Sequence, residues 1–409
     1  MFWIFPVAVW IGSANATIND FSEEYAASRF VLSAPDGSTL LLKGQSRFSL
    51  RDIEGAGGPG YDSITDTRTI GTRSPSVGLD DSMLAAELSL QGGWAWHLQL
   101  AFSPTSAYAD AAWVEWSRAN QRINVSFEVG HHHSVVARHE WGARRSLGSR
   151  VYWGSPEEHL VGEASLTLGA VDLRWAGSVA MMRPLGAANL NDGGDESGTL
   201  SALSYDSSRT FSGNRPVVGG LMSAKVGPVD LSLFGFIGTL AEQGGVSELY
   251  NRMANYSSLS GDTSATDFHW WGGRWDVDGE LGQIVAEAVS SREGLLERRL
   301  YQIEVRSIIK SINKFDSIEP WSRFEKLSIL NGDVEVEEGL PFRSAATSQA
   351  ITWDWDVYTF GISFRWPNRW VALHLEYALI LEQNGSDNLS IENEPIANNE
   401  TTMQLELRF

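Results

Sequence analysis

The segment TTMQLELRF at the end of the chain alternates without error. Met403, Leu405, Leu407 and Phe409 fall on one side, and Thr402, Gln404, Glu406 and Arg408 on the other. A period of two is that of an extended strand with one apolar and one polar face. Upstream, Val371, Leu373, Leu375, Tyr377 and Leu379 share a face opposite Ala372, His374, Glu376 and Ala378. Tyr358, Phe360, Ile362, Phe364 and Trp366 alternate with Val357, Thr359, Gly361, Ser363 and Arg365. Only Pro367-Asn368, a tight-turn pair, separates these two runs.

The connections alternate as well. Short ones fall at Gly92-Gly93, 118–122, Gly169-Ala170, Gly227-Pro228, 278–281 and Pro367-Asn368. Long polar loops fall near 52–82, 130–158, 183–215, 240–267 and 331–352, and again after Leu381. Short turns on one side and long loops on the other mark an all-β, transmembrane antiparallel β-barrel of the outer-membrane type, with about 16 strands between Leu40 and Phe409. The long loops are then extracellular, and the short turns and both termini periplasmic. Trp94, Trp96, Leu98, Leu100 and Phe102 are expected to face lipid, with Ala95, His97, Gln99 and Ala101 toward the lumen. A soluble β-sandwich also alternates, but it needs neither so aromatic an outward face nor a closed, even strand count. A terminal Phe behind alternating apolar residues resembles the insertion signal of outer-membrane barrels.

Composition adds to this picture. The 409 residues include 17 Trp and 40 Gly, which suits tight turns and interfacial aromatics. The formal charge of −20 argues against nucleic acid as a partner, because such binding needs a basic footprint. With no Cys, disulfides and Cys-ligated zinc are excluded. Residues 1–16, MFWIFPVAVWIGSANA, read as a secretory signal ending at the small-x-small site Ala14-Asn15-Ala16, although its start lacks Lys or Arg. As an anchoring helix, its run of about 12 apolar residues is short for a span. Residues 17–38 are then a periplasmic N-terminal segment and 39–409 the barrel.

Four segments resemble the phosphate-selective porin O and P family of bacterial outer-membrane channels. LLLKGQSRFSL resembles its first strand, and INVSFEVGHHHSVVARHEW its strand and inward-folding third loop. NKFDSIEPWSRFEKLSI resembles a Lys-Phe-x-x-Ile-x-Pro turn followed by an aromatic strand, and YTFGISFRWPNRWVALHLEYAL its closing hairpin. The resemblance implies a sixteen-stranded barrel, a homotrimer and a pore narrowed by inward-folded segments. It also implies passive diffusion of small anionic solutes such as phosphate, and contact with outer-membrane lipid and lipopolysaccharide. Two positions depart from the family: Leu84-Ala85 stands where Arg-Arg can occur, and Glu319 stands in the expected SIEP turn where Lys can occur.

Candidate pore residues follow. Segment 130–150 holds Arg138, Arg144, Arg145 and Arg150 against Glu140, with His131, His132, His133 and His139. Guanidinium stays charged and presents a fork to oxyanions, so arginines at a constriction attract anions. The competing reading pairs them with Glu157, Glu158 or lipid phosphates. Much of the acid sits in outward loops, as in NGDVEVEEGL and NLSIENEPIANNE, where screening over about 8–10 Å limits its reach. The third loop is therefore expected to set the sign of selectivity. Lys43, Arg47 and Arg51 share the lumen face of the first strand, as a ladder for anions or as ordinary balanced charge. Lys310 and Lys314 precede Pro320, and the resemblance turns that segment into the pore. The consecutive histidines point to opposite sides of an extended chain, a poor metal site. GAGGPG at 55–60 contains Pro59 and leads into no apolar helix, so it reads as a surface loop, and no nucleophile elbow or P-loop is present. The expectation is a non-enzymatic porin without a cofactor. A sugar or general diffusion channel, an outer-membrane enzyme and a structural or adhesion barrel are the alternatives.

Overall fold

In a bilayer no water satisfies backbone amides, so a strand can cross only if both of its edges are paired. The chain meets this demand by closing on itself. The computed structural model describes residues 30–53, 60–62, 67–69, 76–102, 107–132, 134–138, 146–153, 156–182, 185–186, 204–205, 216–239, 267–293, 296–312, 314–330, 354–367, 370–383 and 399–408. Sixteen strands form the wall. They are β1 (Thr39–Ile53), β2 (Ser76–Ser89), β3 (Trp94–Phe102), β4 (Ala107–Ala119), β5 (Ile123–His132), β6 (Pro156–Leu168), β7 (Val171–Met182) and β8 (Pro216–Val226). The second half comprises β9 (Val229–Thr239), β10 (Asp267–Gly279), β11 (Gly282–Glu293), β12 (Leu296–Ser307), β13 (Phe315–Ile329), β14 (Asp354–Arg365), β15 (Val371–Gln383) and β16 (Glu400–Arg408). Each pairs antiparallel with its neighbours in sequence, and β16 seals against β1 from Gln45↔Arg408 to Ile53↔Glu400. The closed sixteen-stranded antiparallel barrel expected from the alternation is the fold observed.

Side chains follow the period of two. Along β16 every second residue, from Glu400 to Arg408, is buried toward the lumen, while Met403, Leu405 and Leu407 are exposed. On β3, Trp94, Trp96 and Leu98 are exposed outward, and His97, Gln99 and Ala101 are buried inward, as expected. The molecule is thus apolar outside and polar inside, the arrangement a membrane and a wet lumen demand. Phe315, Phe364 and Trp366 cluster near the periplasmic end, with ring centroids 5.3 and 5.1 Å apart. A short strand, Phe30–Ser33, folds onto Thr39–Leu42 below the point where β16 ends.

Two local expectations are corrected. NKFDSIEP is not a turn followed by a strand, since Phe315–Ile329 is one continuous strand and Glu319 lies within it, 4% exposed. The turn was expected from the family resemblance, and the strand tolerates Pro320 although proline usually breaks strands. Here it sits opposite a gap, where pairing to β12 stops at Arg306↔Trp321 and resumes at Ile309↔Ile318, so no ladder bond is lost on that edge. The first outward loop is also shorter than 52–82, because β2 already begins at Ser76. Two outward connections, after β3 and after β11, are short, unlike the others.

Two glycines are required by close approach. Gly93, in the β2–β3 turn, has φ +82, and a Cβ there would lie 2.1 Å from the Ser117 carbonyl oxygen. Gly361 lies opposite Trp321, whose indole crosses it so closely that a Cβ would sit 2.3 Å from Cε2. Gly361→Val is therefore expected to displace the indole and lower stability by about 1–3 kcal/mol, as overpacking does. Denaturant unfolding in detergent checks this, and an unchanged midpoint contradicts the packing described.

Candidate pore constriction

The connection between β5 and β6 is the third outward one, and its described parts lie inside the barrel. Val135, Val136, Leu147, Val151 and Tyr152 are all buried. An apolar segment inside a polar lumen must be held by specific contacts, and charged wall residues supply them. Arg138 Nη2 donates to Glu304 Oε2 on β12 at 2.9 Å. Arg274 on β10 donates from Nη2 to the Val136 carbonyl at 2.7 Å, and from Nε to Glu287 at 2.7 Å. The Leu147 amide donates to Glu325 on β13. Tyr152, in the helical turn Ser149–Trp153, shares a hydrogen bond of 3.1 Å with Ser291. Its ring tilts against Trp270 at 5.9 Å, with the Arg298 guanidinium 5.6 Å from its centroid. Burial pushes the Tyr152 hydroxyl far above its usual pKa, with Arg298 opposing, so it remains a neutral hydrogen-bonding group.

The wall beneath is a chain of buried ions. Arg323 lies between Glu304 at 3.6 Å and Glu325 at 3.2 Å, and Arg298 pairs with Glu293. Toward the periplasm, Glu319 accepts from Arg306 at 2.6 Å, Arg365 at 3.0 Å and Ser317 at 2.6 Å. On the seam, Glu406 meets Arg47 at 3.4 Å, His374 at 3.5 Å and Arg408. The flank from β2 to β6 is acidic. His97, stacked on Trp113 with centroids 4.4 Å apart, lies between Glu87 at 3.9 Å and Glu115 at 3.2 Å, with Glu128 buried on β5.

The expected pore residues are spread over this interior. Lys43, Arg47 and Arg51 do share the lumen face of β1, where Lys43 is buried and the others are partly exposed. Arg138 meets the opposite flank, where Glu304 faces it at 2.9 Å; the side chains of Glu157 and Glu158 lie outside the description. Arg144 and Arg145 lie outside the described residues, as do His133, His139, Glu140 and Phe409; Arg150 is in the helical turn, with its side chain outside the description. His131 and His132 end β5, with the His131 ring 6.4 Å from that of His159. Lys310 and Lys314 are exposed on the periplasmic hairpin joining β12 to β13, Lys310 opposite Ser317. The anchors Arg274, Glu304 and Glu325 escaped the sequence reading. Their signal was present as charges on the inward phase of otherwise alternating strands, Gln302-x-Glu304-x-Arg306 and Arg323-x-Glu325.

Glu304 serves both Arg138 and Arg323, so Glu304→Ala leaves two buried guanidinium groups short of an acceptor. Breaking buried pairs in this way costs about 3–5 kcal/mol. The loop should then leave the wall, with higher single-channel conductance and more open-channel noise than wild type. Unchanged conductance and noise would mean that Glu304 does not hold the loop.

No family model matches the chain, and no curated protein matches it either. Solved structures do. OprB of Pseudomonas putida aligns with a TM-score of 0.57 at 11% identity, covering 94% of this chain and 95% of that one. The outer-membrane channel DcaP of Acinetobacter baumannii gives 0.54 at 9%, covering 92% and 99%. An anion-selective porin from Comamonas acidovorans gives 0.52 at 11%, covering 91% and 99%. At these identities the likeness is one of fold. With its closed wall and apolar belt, the chain is an outer-membrane β-barrel with the architecture of bacterial porins.

Proposed function

We propose that the chain is a passive diffusion porin for small hydrophilic solutes, with a preference for anions such as phosphate, as in the phosphate-selective porin O and P family that its sequence resembles. The observation that carries the reading is the third-loop segment bound inside a polar-lined barrel, which narrows the passage on the β10–β13 flank. Arg47 and Glu87 keep 29% and 25% side-chain exposure, against 1% and 0% for Arg298 and Arg323 under the loop. Solutes then travel along β1, where Lys43, Arg47 and Arg51 offer successive cationic contacts, joined by Arg144, Arg145 and Arg150 from the loop. Arg138 acts mainly as an anchor, because it is buried against Glu304, whereas Arg47 stays partly exposed beside Glu406. Lys310, and Lys314 beside it, would gather anions at the periplasmic mouth.

Glu87, Glu115 and Glu128 favour a second reading, a general or sugar channel without anion preference. Homotrimeric assembly and binding of lipopolysaccharide belong to the proposal on the strength of the family resemblance. Reversal potentials in asymmetric salt separate the two readings. The anion reading expects an anion-selective wild type whose preference falls or inverts in Lys43→Gln/Arg47→Gln/Arg51→Gln. A cation-selective or unselective wild type, or a triple variant with the wild-type potential, sinks it.

A further inference from the structure

The outer wall is not uniform. On the lipid side of β7 to β12 the belt sinks into a groove of about 740 Å³. Its floor is made of Gly273, Ala286 and Ala288, small residues on adjacent strands in direct register, Gly273↔Ala288↔Tyr301. Its rim is made of large exposed side chains, among them Leu233, Trp275 and Tyr301. All lie on the outward phase, because Glu287, Val289, Gln302 and Glu304 between them are buried inward. Floor and rim thus leave a recess bounded by alkyl and aromatic surface inside the apolar belt.

The end of this groove nearest the long loops is basic. One same-face step beyond Tyr301 stands Arg299, with Arg292 on β11 beside it and Lys326 directly opposite Tyr301 on β13. Arg292 lies 4.0 Å from Glu297, and Lys326 lies 3.3 Å from Asp356. Arg299 is exposed, and among the described residues it makes no hydrogen bond or ion pair. Arg292 and Lys326 each face a carboxylate, so the positive charge left at this end of the groove is that of Arg299. An unpaired guanidinium facing a membrane interface calls for an anion with several oxygens.

We propose that this groove binds one lipid of the outer leaflet, with a headgroup phosphate on Arg299 and an acyl chain on the Gly273–Ala286–Ala288 floor. The inference rests on the membrane-spanning reading of the barrel and gives the expected lipid contact a specific site. Charge complementarity selects the occupant. A phosphate-bearing lipid supplies both the anion for Arg299 and the acyl chain for the floor, and a second copy of the chain is the competing occupant.

Folded wild-type protein, stripped of lipid in detergent, is titrated with bisphosphorylated lipid A and with the same lipid dephosphorylated, and native mass spectrometry counts lipids per barrel. Wild type should take up the phosphorylated form preferentially. Arg299→Gln should weaken that uptake about fivefold, the value of one lost net hydrogen-bonded contact. Ala288→Trp, which fills the groove from the lipid side, should abolish it, with folding checked by heat-dependent gel mobility. Wild-type uptake in both variants overturns the proposal, as does equal uptake of the dephosphorylated lipid. A change in subunit number in Ala288→Trp with lipid uptake intact also overturns it, by identifying the groove as a protomer contact. Conductance should be wild-type in both variants, so the channel reading is tested separately from the lipid site.

Discussion

Every backbone amide in the membrane must find a partner in the protein, and the pairing of β16 with β1 completes that requirement. Without the ladder from Gln45↔Arg408 to Ile53↔Glu400, two long edges would face lipid. Each unsatisfied group would cost about 1–3 kcal/mol or more. Closure then fixes much else. The wall has one face in lipid and one in water, so side chains must sort by a period of two. That sorting puts Phe48 and Leu405 outside, and Arg47 and Glu406 inside.

A wet, polar interior sets its own problem, because a loop folded into it cannot be held by a hydrophobic core. The barrel answers with ions. Arg274, Glu304 and Glu325 grip Val136, Arg138 and Leu147, while Arg323 and Glu287 neutralise the grips from behind. Charges committed in this way are poor candidates for handling solute. In the proposed function, selectivity falls to Lys43, Arg47 and Arg51 on β1, set against Glu87 on β2 and Glu115 on β4. The same constraint acts outside the barrel, where Arg299 at the edge of the apolar belt has no hydrogen bond or ion pair among the described residues.

Alternation is a local property, so β3, β14, β15 and β16 were legible in sequence residue by residue, as was the inward face of β1. Pairings between distant segments leave no local trace. Nothing near Arg138 names Glu304 as its partner, 166 residues on. The turn that the family resemblance placed at NKFDSIEP misled: Phe315–Ile329 is one strand, and the break lies in the neighbouring strand at Ile308. Short outward connections were missed because a two-residue link such as 294–295, between β11 and β12, carries no polar run to mark it.

The closing seam is the most direct point of attack, and a chain without cysteine makes it simple to probe. Phe48 and Leu405 are register partners on the exposed face of β1 and β16. Directly opposed residues in an antiparallel pair lie about 4.5–5.5 Å apart between Cα atoms, within reach of a disulfide. In the double variant Phe48→Cys/Leu405→Cys, mild oxidation of the folded protein should give a near-quantitative cross-link, read as altered mobility on non-reducing gels. The offset pair Phe48→Cys/Leu407→Cys should give little. No cross-link in the first pair, or preferential cross-linking in the second, would contradict the closed barrel in the register described.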